Sequence, residues 1–254
     1  MKLLKAMAIA FSIYSKIPVP QFEWKEEDME YMMCFFPWIG GVIGLFFFGW
    51  AVLCEKFAVG NVCYALIGAA IPLMISGGFH VDGYMDTMDA FHSYQSREKK
   101  LEILKDSHIG AFAAIMLALY YMIDIAAISE IHTRKVVFAL AAVFFLARCF
   151  SGIAVMTLQP AKKEGLLYTF ASSAQKVRVK TALYFQAALC MVLMLFVSGW
   201  YGVAAIVAAL LSFFYFKRKS YKELGGITGD TAGFFVTVCE VATATAVAVA
   251  GYLL

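Results

Sequence analysis

The feature that most constrains this chain is a series of long apolar runs, at 33–53, 62–79, 110–129, 136–157, 181–198, 201–216 and 232–253. A helix of about 20 apolar residues crosses the ~30 Å hydrocarbon core of a bilayer, and a helix satisfies its backbone polar groups internally, as lipid demands. The runs at 62–79 and 201–216 are short, so tilting, close pairing or partial re-entry is expected there. Composition agrees: 62% of residues are hydrophobic and 15% charged, against about 45–50% and about 25% in a soluble domain. Disorder, a collagen-like fibre and a disulfide-stapled mini-protein are excluded. A net charge of +3 gives no footprint for nucleic acid. The expected fold is all-α, a polytopic integral membrane helical bundle of about seven spans, with residues 1–254 forming one membrane-embedded domain. The N-terminal stretch is basic and then apolar. Its apolar part is bracketed by Lys5 and Lys16 and followed by no A-x-A site. It reads as a retained interfacial or re-entrant segment, not a cleaved signal.

Segment 1–32 and loops 80–109, 158–180 and 217–231 hold 17 of the 21 Lys and Arg residues, whereas loops 54–61, 130–135 and 199–200 hold three. Such a bias marks the cytoplasmic side. It predicts a cytoplasmic N-terminus and, with seven spans, a C-terminus on the opposite side. The six cysteines form no CxxC pair and read as small buried hydrophobes. Gly40, Gly41, Gly44 and Gly49 read as close helix packing.

The acidic residues in unusual places gather on the same predicted side. The segment GGFHVDGYMDTMDAFHS sets Asp82, Asp86 and Asp89 at i, i+4 and i+7, one stripe of a helix. Like charges at that spacing repel. A solvated face would interleave Lys or Arg, yet His80 and His92 are the only basic residues between Met74 and Tyr94. A hard divalent cation such as Mg²⁺ would turn the repulsion into coordination. Asp106 ends the amphipathic stretch SREKKLEILKDSHIG and is a candidate fourth carboxylate. Arg97, Lys99, Lys100 and Lys105 offer phosphate contacts. In LGGITGDTAGFFVTVCE, Asp230 follows a Gly-rich turn and is expected to cap the last helix. Asp124, Arg148 and Glu240 lie inside apolar runs, where ionisable groups are expensive, and Asp124 and Arg148 are candidates to pair. His80 is a candidate base or hydrogen-bond donor to substrate.

With those residues in view the chain resembles the cobalamin synthase (adenosylcobinamide-GDP ribazoletransferase) family nearly end to end. The blocks are YSKIPVP at 14–20, FFPWIGGVIG at 35–44, GGFHVDGYMDTMDAFHS at 77–93, SREKKLEILKDSHIGAF at 96–112 and GGITGDTAGFFVTVCE at 225–240. Arg148 and KKEGL at 162–166 also fit the family pattern. Ala90, His108, Asp124 and Thr237 depart from it. The resemblance implies that adenosylcobinamide-GDP and α-ribazole (or its 5′-phosphate) are substrates and that GMP leaves. It implies a Mg²⁺-dependent phosphoryl-group transferase in a prokaryotic cytoplasmic (inner) membrane, working on the cytoplasmic side.

Phosphoryl transfer requires charge neutralisation and in-line positioning, which suits the aspartate stripe. The implied roles put Asp82, Asp86, Asp89, Asp106 and Asp230 on the metal. One of these carboxylates, or His80, takes the proton, while Arg97, Lys105, Arg148 and Lys162 hold phosphate. Two alternatives remain: a CDP-alcohol phosphotransferase-like enzyme, of whose signature only the Asp-Gly start is present, and a cation transporter using Asp124 and Glu240.

Overall fold

The computed structural model describes residues 2–20, 23, 25–162 and 165–253. Eleven α-helices occupy them, with two short 3₁₀ turns (Glu26–Met29 and Met32–Cys34) between the first two: α1 (Lys2–Tyr14), α2 (Phe36–Phe57), α3 (Asn61–Ser76), α4 (Phe79–His92), α5 (Arg97–Ile103), α6 (Ala111–Ile128), α7 (Arg134–Thr157), α8 (Leu166–Ser173), α9 (Lys176–Ser198), α10 (Trp200–Leu224) and α11 (Gly229–Leu253). No strand occurs among the described residues beyond an isolated bridge, Pro160–Ile227. Six helices (α2, α6, α7, α9, α10 and α11) are long and apolar enough to cross a bilayer. A seventh crossing exists if α3 and α4 are taken together, although they meet at 97°.

That bend revises the expected span at 62–79. Helix α3 stops at Ser76 because Gly77 and Gly78 take φ of +65° and +84°, a region closed to most side chains. The chain restarts as α4 on a new axis. At 201–216 the correction runs the other way: α10 spans 25 residues, since its helix continues through the basic stretch to Leu224 and stops at Gly225 in the left-handed region.

Helix α7 is the centre of the bundle, buried along most of its length, with α2, α9, α10 and α11 packed around it. Lipid and helix surfaces are equally apolar, so close van der Waals contact has to hold such a bundle together. The small residues supply it: a Cβ on Gly40 or Gly44 would lie 2.0 Å from the Phe144 carbonyl oxygen and 2.2 Å from that of Ala141. Leu45, Phe185, Phe196 and Leu211 stand bare on the outside, as lipid-facing side chains do.

The two loop sets separate in space as their charges predicted. At one end Lys100 pairs with Glu223, Lys162 Nζ donates to the Leu101 carbonyl at 2.7 Å, and Gln175 N–H donates to the Glu30 carbonyl at 3.2 Å. Segment 1–32 and all three basic loops therefore share that end. At the other, Arg134 pairs with Glu55, Asn61 donates to Ser129 and the Tyr252 hydroxyl bonds to Glu130.

Candidate active site

At the basic end a cavity of ≈480 Å³ opens between α4, the loop after α5, the start of α8 and the start of α11. Two local features build its wall. The first turn of α11 is capped reciprocally: Thr228 Oγ1 accepts the Thr231 N–H at 3.2 Å, and Thr231 Oγ1 accepts the Thr228 N–H at 2.8 Å. Asp230, expected to be that cap, is displaced from the role, and its carboxylate takes a 3.3 Å bond from the Thr228 hydroxyl. The second feature is a close crossing. A Cβ on Gly83 would sit 2.8 Å from the Asp230 carbonyl oxygen, so only glycine lets α4 press against the start of α11. Beside it the 158–161 strand-like turn is stitched to Ile227 by Ala161 N–H to Ile227 O at 2.8 Å and Ile227 N–H to Gln159 O at 3.0 Å.

The aspartates of the stripe have diverged in their duties. Asp82 is exposed and lines the cavity with Asp230. Asp86 is half-buried one turn further along α4, close enough to Asp82, Asp89 and Asp230 for their charges to act on it. Asp89 is engaged elsewhere: its two oxygens accept Gly110 N–H at 2.7 Å and Ala113 N–H at 2.8 Å. It caps the start of α6 from a neighbouring helix, supplying negative charge where the helix dipole favours it. Asp106 lies in the loop after α5 and bonds to His108 Nδ1 at 2.6 Å and His108 N–H at 3.0 Å, contacts that hold its carboxyl below the usual carboxylate range. The cavity is lined by its neighbours Leu104 and Lys105.

Among the described residues no three His, Cys, Asp or Glu side chains are arranged as a ready-made metal cage. The donor chemistry nevertheless suits Mg²⁺, which is commonly held by one or two carboxylates together with substrate phosphates. Asp82, Asp86 and Asp230 are the carboxylates that approach one another, Asp230 while also accepting its own backbone N–H at the start of α11.

Lys105 and Lys162 line the rim, and the Lys162 charge reaches Asp230. Arg97 lies at the start of α5 against the backbone of Gly225, outside the cavity lining. Arg148 is 1% exposed and lies beneath the floor, bonding the Phe144 carbonyl and Glu240 Oε1 at 2.8 Å each. The expected Arg148–Asp124 pairing is thus replaced by Arg148–Glu240, with Asp124 a buried neighbour of Glu240. Of the KKEGL stretch, Lys163 and Glu164 lie outside the described residues.

His80 is 4% exposed, and neither ring nitrogen has a hydrogen-bond partner among the described residues. Leaving a buried polar group unpaired costs about 1–3 kcal/mol. The rings of Tyr14, Phe36 and Phe79 surround it, with centroids 6.1, 5.6 and 5.7 Å away. Sequence reasoning missed these aromatic residues and Phe170 as site components. The available signal was that Tyr14 and Phe36 stand in the blocks at 14–20 and 35–44, far in sequence from the aspartates. A second hollow, of ≈510 Å³, lies on the other side of Phe79 and Asp82, which line both, and is bounded by Lys16, Gly77 and Gly78.

Residues 6–248 match the family described as cobalamin-5-phosphate synthase. A protein of Lachnoclostridium phytofermentans named adenosylcobinamide-GDP ribazoletransferase is 43% identical over 98% of this chain and 95% of its own. Proteins of the same name from Clostridium botulinum (30% identical, 94% of this chain and 95% of theirs) and Desulfitobacterium hafniense (29%, with 93% and 94% covered) are also similar. No solved structure matches the chain.

Proposed function

The chain belongs to the cobalamin-5-phosphate synthase family, and from that premise we propose that it transfers the cobinamide-phosphate moiety of adenosylcobinamide-GDP to α-ribazole or α-ribazole 5′-phosphate, releasing GMP. The observation that carries this reading is the near full-length similarity to relatives named adenosylcobinamide-GDP ribazoletransferase. The site is chemically suited to it. The 3′-hydroxyl oxygen of the acceptor attacks the phosphorus nearer the cobinamide. A new P–O bond forms as the bond to the GMP oxygen breaks, GMP leaves with the electron pair, and the hydroxyl proton passes to a carboxylate of α4. Asp82, exposed at the rim and shared by both hollows, is our choice for that acceptor.

Mg²⁺ held by Asp82, Asp86 and Asp230 would neutralise the diphosphate charge. Lys105 and Lys162 orient the diphosphate from the rim, and Arg97 extends the basic surface over which the corrinoid lies. Arg148 acts from below as a buried charge locked by Glu240, and Asp89 positions α6 against α4. His80 serves as a hydrogen-bonding group at the inner end of the site.

The chain is a multi-pass membrane protein. We place it in the cytoplasmic membrane with the basic end, and hence the site, facing the cytoplasm. The CDP-alcohol and cation-transport alternatives gain no support from the family to which the chain belongs.

The test is nucleotide release by the purified protein in lipid, supplied with adenosylcobinamide-GDP and α-ribazole. GMP is expected only with both substrates and Mg²⁺. Release of CMP from CDP-alcohols with no GMP would overturn the assignment.

A further inference from the structure

The cavity has two ends of opposite character. Its floor is aromatic and closed: Tyr14, Phe36 and Phe170 are buried, with the Tyr14 ring centroid 4.5 Å from Phe36 and 6.3 Å from Phe170. Its rim is ionic and open, carrying the exposed Asp82 and Lys105. The polar side chains on the floor are neutral or sparse: Ser151, which bonds weakly to the Ala232 carbonyl at 3.5 Å, and His80.

A phosphate pushed among those rings would lose its hydration with little in return. A flat heterocycle gains there, because every aromatic base has a face that stacks on rings. Volume points the same way. A cavity of ≈480 Å³ lies in the range of about 300–1,000 Å³ that encloses a drug-sized molecule. That suits a nucleoside, whereas a corrinoid bearing GDP is several times larger and has to remain outside.

Resting on the ribazole-transfer reading, we propose that the aromatic floor binds the heterocyclic base of the acceptor nucleoside, its sugar hydroxyl directed towards Asp82, and that the corrinoid donor closes the mouth behind it. The order of binding follows from this geometry. The acceptor enters the empty enzyme, and the donor binds second over the rim.

The test uses the full chain in lipid nanodiscs, as wild type, Tyr14→Leu and Tyr14→Phe, with Phe170→Leu on the peripheral α8 as a second floor variant. Each is titrated calorimetrically with α-ribazole in the absence of donor, then assayed for GMP release with each substrate varied. Wild type is expected to bind α-ribazole alone. Tyr14→Leu and Phe170→Leu are expected to weaken that binding and raise the acceptor KM by about 10- to 100-fold, the worth of one stacking ring, with the donor KM within about twofold. Tyr14→Phe keeps the ring and stays near wild type.

α-Ribazole binding that requires prior donor, or floor variants that raise the donor KM instead, would overturn the proposal. The underlying reading is decided separately. Wild-type protein that binds α-ribazole through the floor but never releases GMP would sink the transfer reaction and spare the floor assignment. Turnover indifferent to both floor rings would do the reverse.

Discussion

Replacing Asp89 separates two duties that look alike in sequence, coordination of a metal and restraint of a helix. Its carboxylate oxygens accept the Gly110 and Ala113 N–H groups at 2.7 and 2.8 Å, and Gly110 fits so closely that a Cβ there would lie 2.5 Å from Asp89 Oδ1. A hydrogen bond to a charged group contributes about 1.5–3 kcal/mol, and a charge at a helix N-terminus about 0.3–1 kcal/mol. Asp89 is half-buried, which argues for the low end of each range. Asp89→Ala should then cost about 3 kcal/mol and Asp89→Asn, which keeps one carbonyl acceptor, about 1–2 kcal/mol. Equilibrium unfolding in mixed micelles reads the stability, and amide hydrogen exchange reads the cap itself, with faster exchange expected at Gly110–Ala113. The Mg²⁺ concentration for half-maximal GMP release should stay within about twofold of wild type in Asp89→Asn. A variant with unchanged stability and exchange but a tenfold higher Mg²⁺ requirement would refute the capping argument and return Asp89 to the metal.

Asp82→Asn and Asp86→Asn should fold normally yet lose about 10²–10³-fold of Mg²⁺-dependent GMP release; near-normal turnover in both would remove the carboxylates from the chemistry. Glu240→Ala strands the buried Arg148 guanidinium and should cost about 3–5 kcal/mol, while Arg148→Met with Glu240→Leu should recover much of it, as thermal unfolding can check. Gly83→Val forces a side chain into the Asp230 backbone, so activity should fall as α4 and α11 separate, with the other helices still formed by circular dichroism. His108→Ala removes the imidazole contact, the stronger of the two that depress the Asp106 pKa, and leaves the backbone N–H contact in place. An NMR titration should show that pKa rising towards the ordinary carboxylate value. In the wild type the contact is present above that value and is lost as pH falls through the depressed one.

Much of the architecture was legible because membrane helices announce themselves by length and apolarity. The ends of α6, α7 and α11 fall within a few residues of the runs at 110–129, 136–157 and 232–253. The asymmetry of Lys and Arg likewise foretold which loops would share an end, since that bias reflects a field acting on whole loops and needs no contact map. The break at Gly77–Gly78 was less readable. The apolar run continues through Phe79, and hydropathy is blind to a φ that only glycine adopts comfortably.

Apolar length and charge bias alone mark this as a helical membrane protein with its basic loops at one end, and residue spacing alone places three aspartates on one stripe of a helix. The partners of each carboxylate became visible only once the helices were packed together. Asp82, Asp86 and Asp89 have the same side chain and share one helical stripe, but α6 offers two unpaired N–H groups to Asp89 and none to Asp82. Burial and partners come from neighbouring helices, and spacing along one helix cannot report them. The same reason hid the partner of Arg148, which lies 92 residues away at Glu240, and the aromatic floor, which α1, α2, α4 and α8 assemble from four separated stretches of chain.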